Sequence, residues 1–223
     1  RSETVYEILS RYCELGRKTF VIEDAAYKEL RFEGEDTPYL KSLDSGNHGV
    51  VLVGSFSKSF SPGLRLGFGW APPQLLEHVL RQKGNEDFGS SNFCQHLMHR
   101  AIASGRYSRH VEMLRARYRN KRDLMLRGIA QHFPSDVEVI KPLGGMYVWA
   151  ALPGGMDTGC KSELFKEALR RNVLYVPGEF CYCSEPGVAK PTNKLRISFG
   201  MVTEENIAAG VARLGEAVRH VWR

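Results

Sequence analysis

The sequence predicts an α/β protein, a mostly parallel sheet covered by helices followed by a small α+β lobe. Three observations carry this. Up to about Phe133 the hydrophobic period switches repeatedly between helical spacing and short continuous apolar runs. The runs in "TFVIEDAAY", "GVVLVGSFS" and "LRLGFGWA" are apolar without alternation, as strands read when a parallel sheet is buried on both faces. Beyond Pro134 the texture changes to short strands around a Gly-Gly turn, interleaved with two helices.

Taken in order, "SETVYEILSRYCELG" spaces Val5, Ile8, Leu9, Tyr12 and Leu15 at helical intervals behind Ser2, a cap candidate. "TFVIEDAAY" follows as a strand ending in acid. After a polar segment rich in Gly, Asp and Ser come two strands, "GVVLVGSFS" and "LRLGFGWA", joined by a loop that turns at Pro62 and Gly63. "PQLLEHVLRQKG" and "SSNFCQHLMHRAIASG" read as helices, and "SRHVEMLRARYRNKRDLMLRGIAQHF" as a long one. At 1.5 Å per residue a helix of roughly 25 residues spans about 37 Å, enough to link two lobes. Then "VEVIKPLGGMYVWAALP" reads as two strands, "KSELFKEALRRN" as a helix, and "VLYVPG" and "KLRISFG" as short strands. "TEENIAAGVARLGEAVRHVWR" closes the chain as a helix whose Thr203 and Asn206 frame a cap. The lobe boundary falls within the long helix, near residues 106–120. Residues 1–110 are expected to form part of a large domain, and 111–223 a linking helix and the small domain.

The 223 residues are 43% apolar and 25% charged, a composition that can bury a core. The net charge of +6 is spread among acids, with no basic arm. This favours affinity for small anions over nucleic-acid binding. The five cysteines, Cys13, Cys94, Cys160, Cys181 and Cys183, are odd in number and irregularly spaced, so they are expected to be reduced thiols in a cytoplasmic protein. Cys181-Tyr-Cys183 lacks a second pair at metal-ligand spacing and reads as two ordinary cysteines. The first twenty residues have no signal-type apolar core, and no run approaches ~18 apolar residues, so secretion and membrane spanning are not expected.

The stretch "VGSFSKSFSPGLRLGFGWAP" sets Lys58 among serines at the end of an apolar strand, where an α/β sheet opens its ligand crevice. A lone loop lysine is as a rule a solvated charge. Its neighbours argue otherwise: Ser55 and Ser57 offer hydroxyls, Arg65 a fork suited to phosphate, and the glycines close approach of backbone to a ligand. An amine nucleophile beside a phosphate site is what pyridoxal 5'-phosphate requires. That cofactor also needs its pyridine nitrogen kept protonated. A buried carboxylate at Asp24 would serve, with the Tyr27 hydroxyl within reach of the phenolic oxygen. The alternatives are a turn cap for Asp24 and a packed aromatic for Tyr27.

Asp24-x-x-Tyr27, Ser55-x-Ser57-Lys58, Gly63-x-Arg65-x-Gly67 and Arg196 in "KLRISFG" form an ordered set in which the sequence resembles the class I and II aminotransferases, fold-type I pyridoxal phosphate enzymes. The likeness is greatest to the branch of 2-aminoadipate and kynurenine aminotransferases. The resemblance implies a C-terminal part of such a protein, comprising part of the large mostly parallel-sheet domain and the small C-terminal domain. It makes Lys58 the Schiff-base lysine and general base, Asp24 the partner of the pyridine nitrogen and Tyr27 the phenolic-oxygen donor. Ser55, Ser57 and Arg65 become phosphate ligands. Arg196, otherwise a surface strand residue, becomes the clamp on the α-carboxylate, with "PLGGMYVW" facing the substrate and Gly144 and Gly145 allowing close approach. Amino acid and 2-oxo acid substrates and a homodimer are implied.

Members of that family are about twice as long, so the chain is expected to be a fragment whose missing part precedes Arg1. That part would hold a phosphate loop, a stacking aromatic and an Asn-Pro-x-Gly turn. Two functions follow for the parent: an aminotransferase, or the aminotransferase-like effector-sensing domain of a GntR/MocR-type bacterial transcription regulator, which would need a winged helix upstream.

Overall fold

The computed structural model describes residues 2–16 and 19–222, apart from the side chains of Ser2 and Cys13. The cap read at Ser2 and the thiol of Cys13 lie outside the described residues. The chain divides into two compact units between Leu114 and Arg115, inside one long helix.

In the first unit, α1 (Ser2–Glu14) precedes β1 (Val21–Asp24), β2 (Val50–Ser55) and β3 (Gly67–Trp70). Helices α2 (Pro73–Asp87), α3 (Asn92–Ala103) and α4 (Arg106–His132) follow. β1 runs parallel to β2, with Asp24 opposite Val53, and β3 pairs antiparallel on the other side of β2, with Gly67 opposite Ser55. A small core gathers Leu9 of α1 with Leu40 and Val50, and Tyr6, Val21 and Leu43 pack against it. The expectation of a sheet covered on both faces is not met. β3 is exposed along its length, Ile22 of β1 and Trp70 of β3 are 70% and 62% exposed, and α2 buries no residue. Continuous apolarity records that a strand face favours cover; it does not say which atoms supply it, and the described residues leave these faces open.

The polar segment between β1 and β2 holds a buried ion pair that its composition did not suggest. Lys41 Nζ donates to Asp44 Oδ2 at 2.9 Å and to the Val50 carbonyl at 2.7 Å, and also to Asn47 Oδ1. Asp44 in turn accepts the His48, Val50 and Gly49 amides at 2.9, 2.9 and 3.3 Å. Burial pushes the Asp44 carboxyl up, but the His48 amide, the Lys41 ammonium and the other two amides outweigh it and hold the group down at about 2. A carboxylate depressed in the fold stabilises fully above its ordinary pKa of about 4, and loses that contribution as pH falls toward its folded value. The chain is therefore expected to lose about 2 kcal/mol from this group between about pH 5 and pH 2. Asp44→Asn should flatten that part of the profile, as read from urea midpoints against pH.

The second unit is an antiparallel sheet in the order β4-β5-β7-β6, made of β4 (Glu138–Ile140), β5 (Tyr147–Ala151), β6 (Val176–Pro177) and β7 (Lys194–Ser198). Val148 and Ala150 of β5 and Leu195 and Ile197 of β7 are buried. Helices α5 (Glu163–Arg170) and α6 (Glu204–Val221) pack together and contribute Leu164, Ile207, Leu214 and Val218 to the core. Ser162 caps α5 by accepting the Phe165 amide at 3.1 Å, and Thr203 caps α6 by accepting the Asn206 amide at 3.3 Å, the cap read from the sequence. The C-terminal half of α4 approaches α6 closely because Gly215 has no side chain: a Cβ there would lie 2.4 Å from the His132 carbonyl oxygen.

Candidate functional site

Because β1 and β2 are parallel, both end at one edge of the first unit's sheet, placing Asp24 and Ser55 there together. The Ala25 amide donates to the Val53 carbonyl at 2.8 Å, holding the two strand ends in register. The loop leaving Ser55 is closed by the Phe56 amide on the Leu66 carbonyl at 3.1 Å. Within it the Phe60 and Ser61 amides both donate to the Phe56 carbonyl, at 2.9 and 3.0 Å. This single tight turn carries Lys58, whose Nζ stands 5.8 Å from the centroid of the Tyr27 ring. The Ser57 amide donates to Ser55 Oγ at 3.1 Å. Ser55, Ser57 and Lys58 are all partly buried.

Arg65 follows in the left-handed backbone region at φ +48°, although it carries a side chain. A residue other than glycine there costs on the order of 1 kcal/mol, strain that recurs at functional sites. Its guanidinium is exposed and its Nη1 donates to the Pro62 carbonyl at 3.3 Å.

Two expectations are corrected here. Asp24 is not buried: alternation along β1 puts it on the same open face as Ile22, and its Oδ1 accepts the Ala26 amide at 3.0 Å. The carboxylate forms the local turn that was the alternative for it, and no described residue shields it. The glycines also act differently. A Cβ on Gly67 would lie 2.7 Å from the Gly54 carbonyl oxygen, and one on Gly54 only 2.2 Å from the Phe68 ring. Both are required by the pairing of β2 with β3. Gly63 is open, with Ser61 Oγ at 3.7 Å the nearest atom to an added Cβ.

Two residues that sequence reasoning did not single out hold the loop in place. The Tyr107 hydroxyl, at the start of α4, donates to Ser59 Oγ at 2.9 Å, and Ser59 is 1% exposed. The Tyr107 ring meets Phe56 edge-on at 5.8 Å, and His110 meets Phe60 at 5.4 Å. The lysine turn is thus fixed on both flanks by aromatic contacts from one helix face. The only signal was an i, i+3 pair on an amphipathic helix, a pattern that any core-facing stripe would show.

Arg196 belongs to the second unit, in the middle of β7, with Trp149 opposite it on one side and Val176 on the other. Its flanking residues Leu195 and Ile197 are buried in the core, so alternation puts Arg196 on the opposite face. Its Cζ lies 4.4 Å from the Tyr147 ring centroid, and its Nε is buried with no hydrogen-bond partner among the described residues. On the same face Trp149 meets the Tyr182 ring at 6.0 Å. The first unit therefore gathers Asp24, Tyr27, Ser55, Ser57, Lys58 and Arg65 along one sheet edge and its loop, and the second presents Arg196 in an aromatic frame.

A family model for class I and II aminotransferases matches residues 6–214. The chain is 38% identical over 205 residues to the 2-aminoadipate transaminase of Thermus thermophilus, covering 91% of this chain and 50% of that protein. The crystal structure of LysN, an alpha-aminoadipate aminotransferase of Thermus thermophilus complexed with N-(5'-phosphopyridoxyl)-L-leucine, superposes with a TM-score of 0.84 at 36% identity. That match covers 97% of this chain and 54% of the other. An uncharacterised HTH-type transcriptional regulator of Bacillus subtilis, YdfD, is 31% identical over 202 residues, 90% of this chain and 40% of its own length. The chain thus spans about half the length, or less, of these relatives.

Proposed function

Because the chain belongs to the class I and II aminotransferase family, we propose that it is part of a pyridoxal 5'-phosphate-dependent aminotransferase that moves an amino group between an amino acid and a 2-oxo acid. The observation that carries the proposal is the aromatic-clamped turn that sets the Lys58 amine beside Tyr27 at the shared end of two parallel strands. The residues present fit the cofactor. An amine, two hydroxyls, a guanidinium and a carboxylate stand at one sheet edge and on the loop that leaves it, and Gly63 is open where a Cβ has almost nothing to meet.

When bound, the cofactor supplies an electron sink and a temporary seat for the amino group. The Lys58 amine would hold the cofactor and, when free, would serve as the base that moves the proton from the substrate's Cα. Ser55, Ser57 and Arg65 would bind the phosphate. The Asp24 carboxylate would keep the proton on the pyridine nitrogen, and the Tyr27 hydroxyl would donate to the phenolic oxygen. Arg196 binds the α-carboxylate, the one charged group that amino acids and 2-oxo acids share, and so orients any donor without reading its side chain. A cytoplasmic homodimer completes the proposal.

The full-length protein, supplied with the cofactor and 2-oxoglutarate, should convert 2-aminoadipate or kynurenine to its oxo acid with ping-pong kinetics and sediment as a dimer. The similarity to YdfD favours a second reading, in which the same site senses cofactor or amino acid for a regulator. Cofactor binding without amino transfer to any 2-oxo acid tested would select that reading and overturn the first.

A further inference from the structure

We propose that Tyr147 is a positioning residue for carboxylate recognition, its ring being the platform that holds the Arg196 guanidinium in place. This rests on the reading of Arg196 as the carboxylate clamp. The strand register sets Tyr147 opposite Ser198, two residues from Arg196, so its ring reaches the guanidinium along the diagonal between paired strands. At 4.4 Å from ring centroid to Cζ the contact lies well within cation–π range.

The chemistry of the two partners gives this contact its meaning. An aromatic face attracts the cation but offers no oxygen lone pair, so it fixes the group without occupying its N–H donors. The buried Nε has no hydrogen-bond partner among the described residues, so the ring and not an acceptor holds the group. A carboxylate that takes two N–H bonds from the guanidinium fork then meets donors that the ring has not used. Arginine has a long, rotamer-rich stem, so a platform that restrains it before the ligand arrives reduces the ordering that binding must impose. Tyr147 thus acts through Arg196, and its removal should be felt by ligands that carry a carboxylate.

The test measures equilibrium binding of 3-phenylpropionate, a monocarboxylate with no amine to react, to the cofactor-loaded full-length protein by calorimetry. Tyr147→Phe keeps the ring and should bind within about twofold of the parent. Tyr147→Leu removes the ring and should weaken binding roughly 3- to 30-fold, the range of cation–π contacts. In turnover, Tyr147→Leu should raise KM for amino acid donors with kcat held, and leave an amine lacking the carboxylate unchanged. Where Tyr147→Leu does not fold, Tyr147→Met carries the same expectation. If Tyr147→Leu binds as the parent does while Arg196→Ala does not bind, the platform is wrong and the clamp stands. If Arg196→Ala binds as the parent does, the clamp beneath it is wrong. Equal losses for the amine and the acids would make Tyr147 a structural residue only and overturn the proposal.

Discussion

Lys58→Ala in the full-length protein is expected to abolish the pyridoxyl group that borohydride reduction otherwise fixes to the protein, and to slow amino transfer by at least about 10²- to 10⁴-fold, the usual contribution of a positioned general base. Both effects follow from one amine with two tasks, holding the cofactor and moving the Cα proton. The turn that carries Lys58 is built to keep that amine in place. The Phe56 carbonyl accepts two amides within it, Ser59 is buried beneath it, and Tyr107 and His110 brace its two phenylalanines. Alanine suits the same backbone, so the loss should appear in chemistry and leave the melting temperature of the apoprotein almost unchanged. Peptide mapping of the reduced parent provides the check. A pyridoxyl group on Lys28, Lys41 or any lysine other than Lys58 would show that this turn is not the attachment site.

How much of this was legible in the sequence depended on whether the signal was local. The Thr203 cap of α6 and the β4–β5 hairpin are written in neighbouring residues, and they formed where the pattern put them. The loop between β2 and β3 was legible because Pro62 and Gly63 are local turn signals. The Tyr107 to Ser59 bond joins residues 48 apart and left no local trace. The Lys41–Asp44 pair looked like ordinary loop polarity, because three-residue spacing in a Gly-rich segment says nothing about burial. The error over Asp24 came from the same source. The end of β1 fixes where its carboxylate stands, but burial depends on what covers the Ile22 face, and no spacing along β1 encodes that. Gly54 and Gly67 were assigned to a ligand when the backbone of the paired strands already needed them, a competition visible only in the β2–β3 register.

Arg196→Ala should separate carboxylate recognition from cofactor chemistry. The proposed role of Arg196 touches substrate alone, whereas that of Asp24 touches the cofactor ring alone, so their losses should differ in kind. Removing the guanidinium forfeits a charge-assisted two-point contact, about 2–4 kcal/mol or roughly 30- to 800-fold in kcat/KM for an amino acid donor. Covalent attachment of the cofactor at Lys58 should survive, and a simple amine should react almost as before. Asp24→Ala should slow acids and amine alike, because without the ring proton the developing charge has no sink whatever the donor carries. The measurement is single-turnover amino transfer from 2-aminoadipate, kynurenine, glutamate and a simple amine. The Nε of Arg196 makes no hydrogen bond among the described residues, and the contact with the Tyr147 ring leaves that donor unpaired. Should the acids and the amine lose rate equally in Arg196→Ala, the arginine supports the sheet only, and the carboxylate must be held elsewhere.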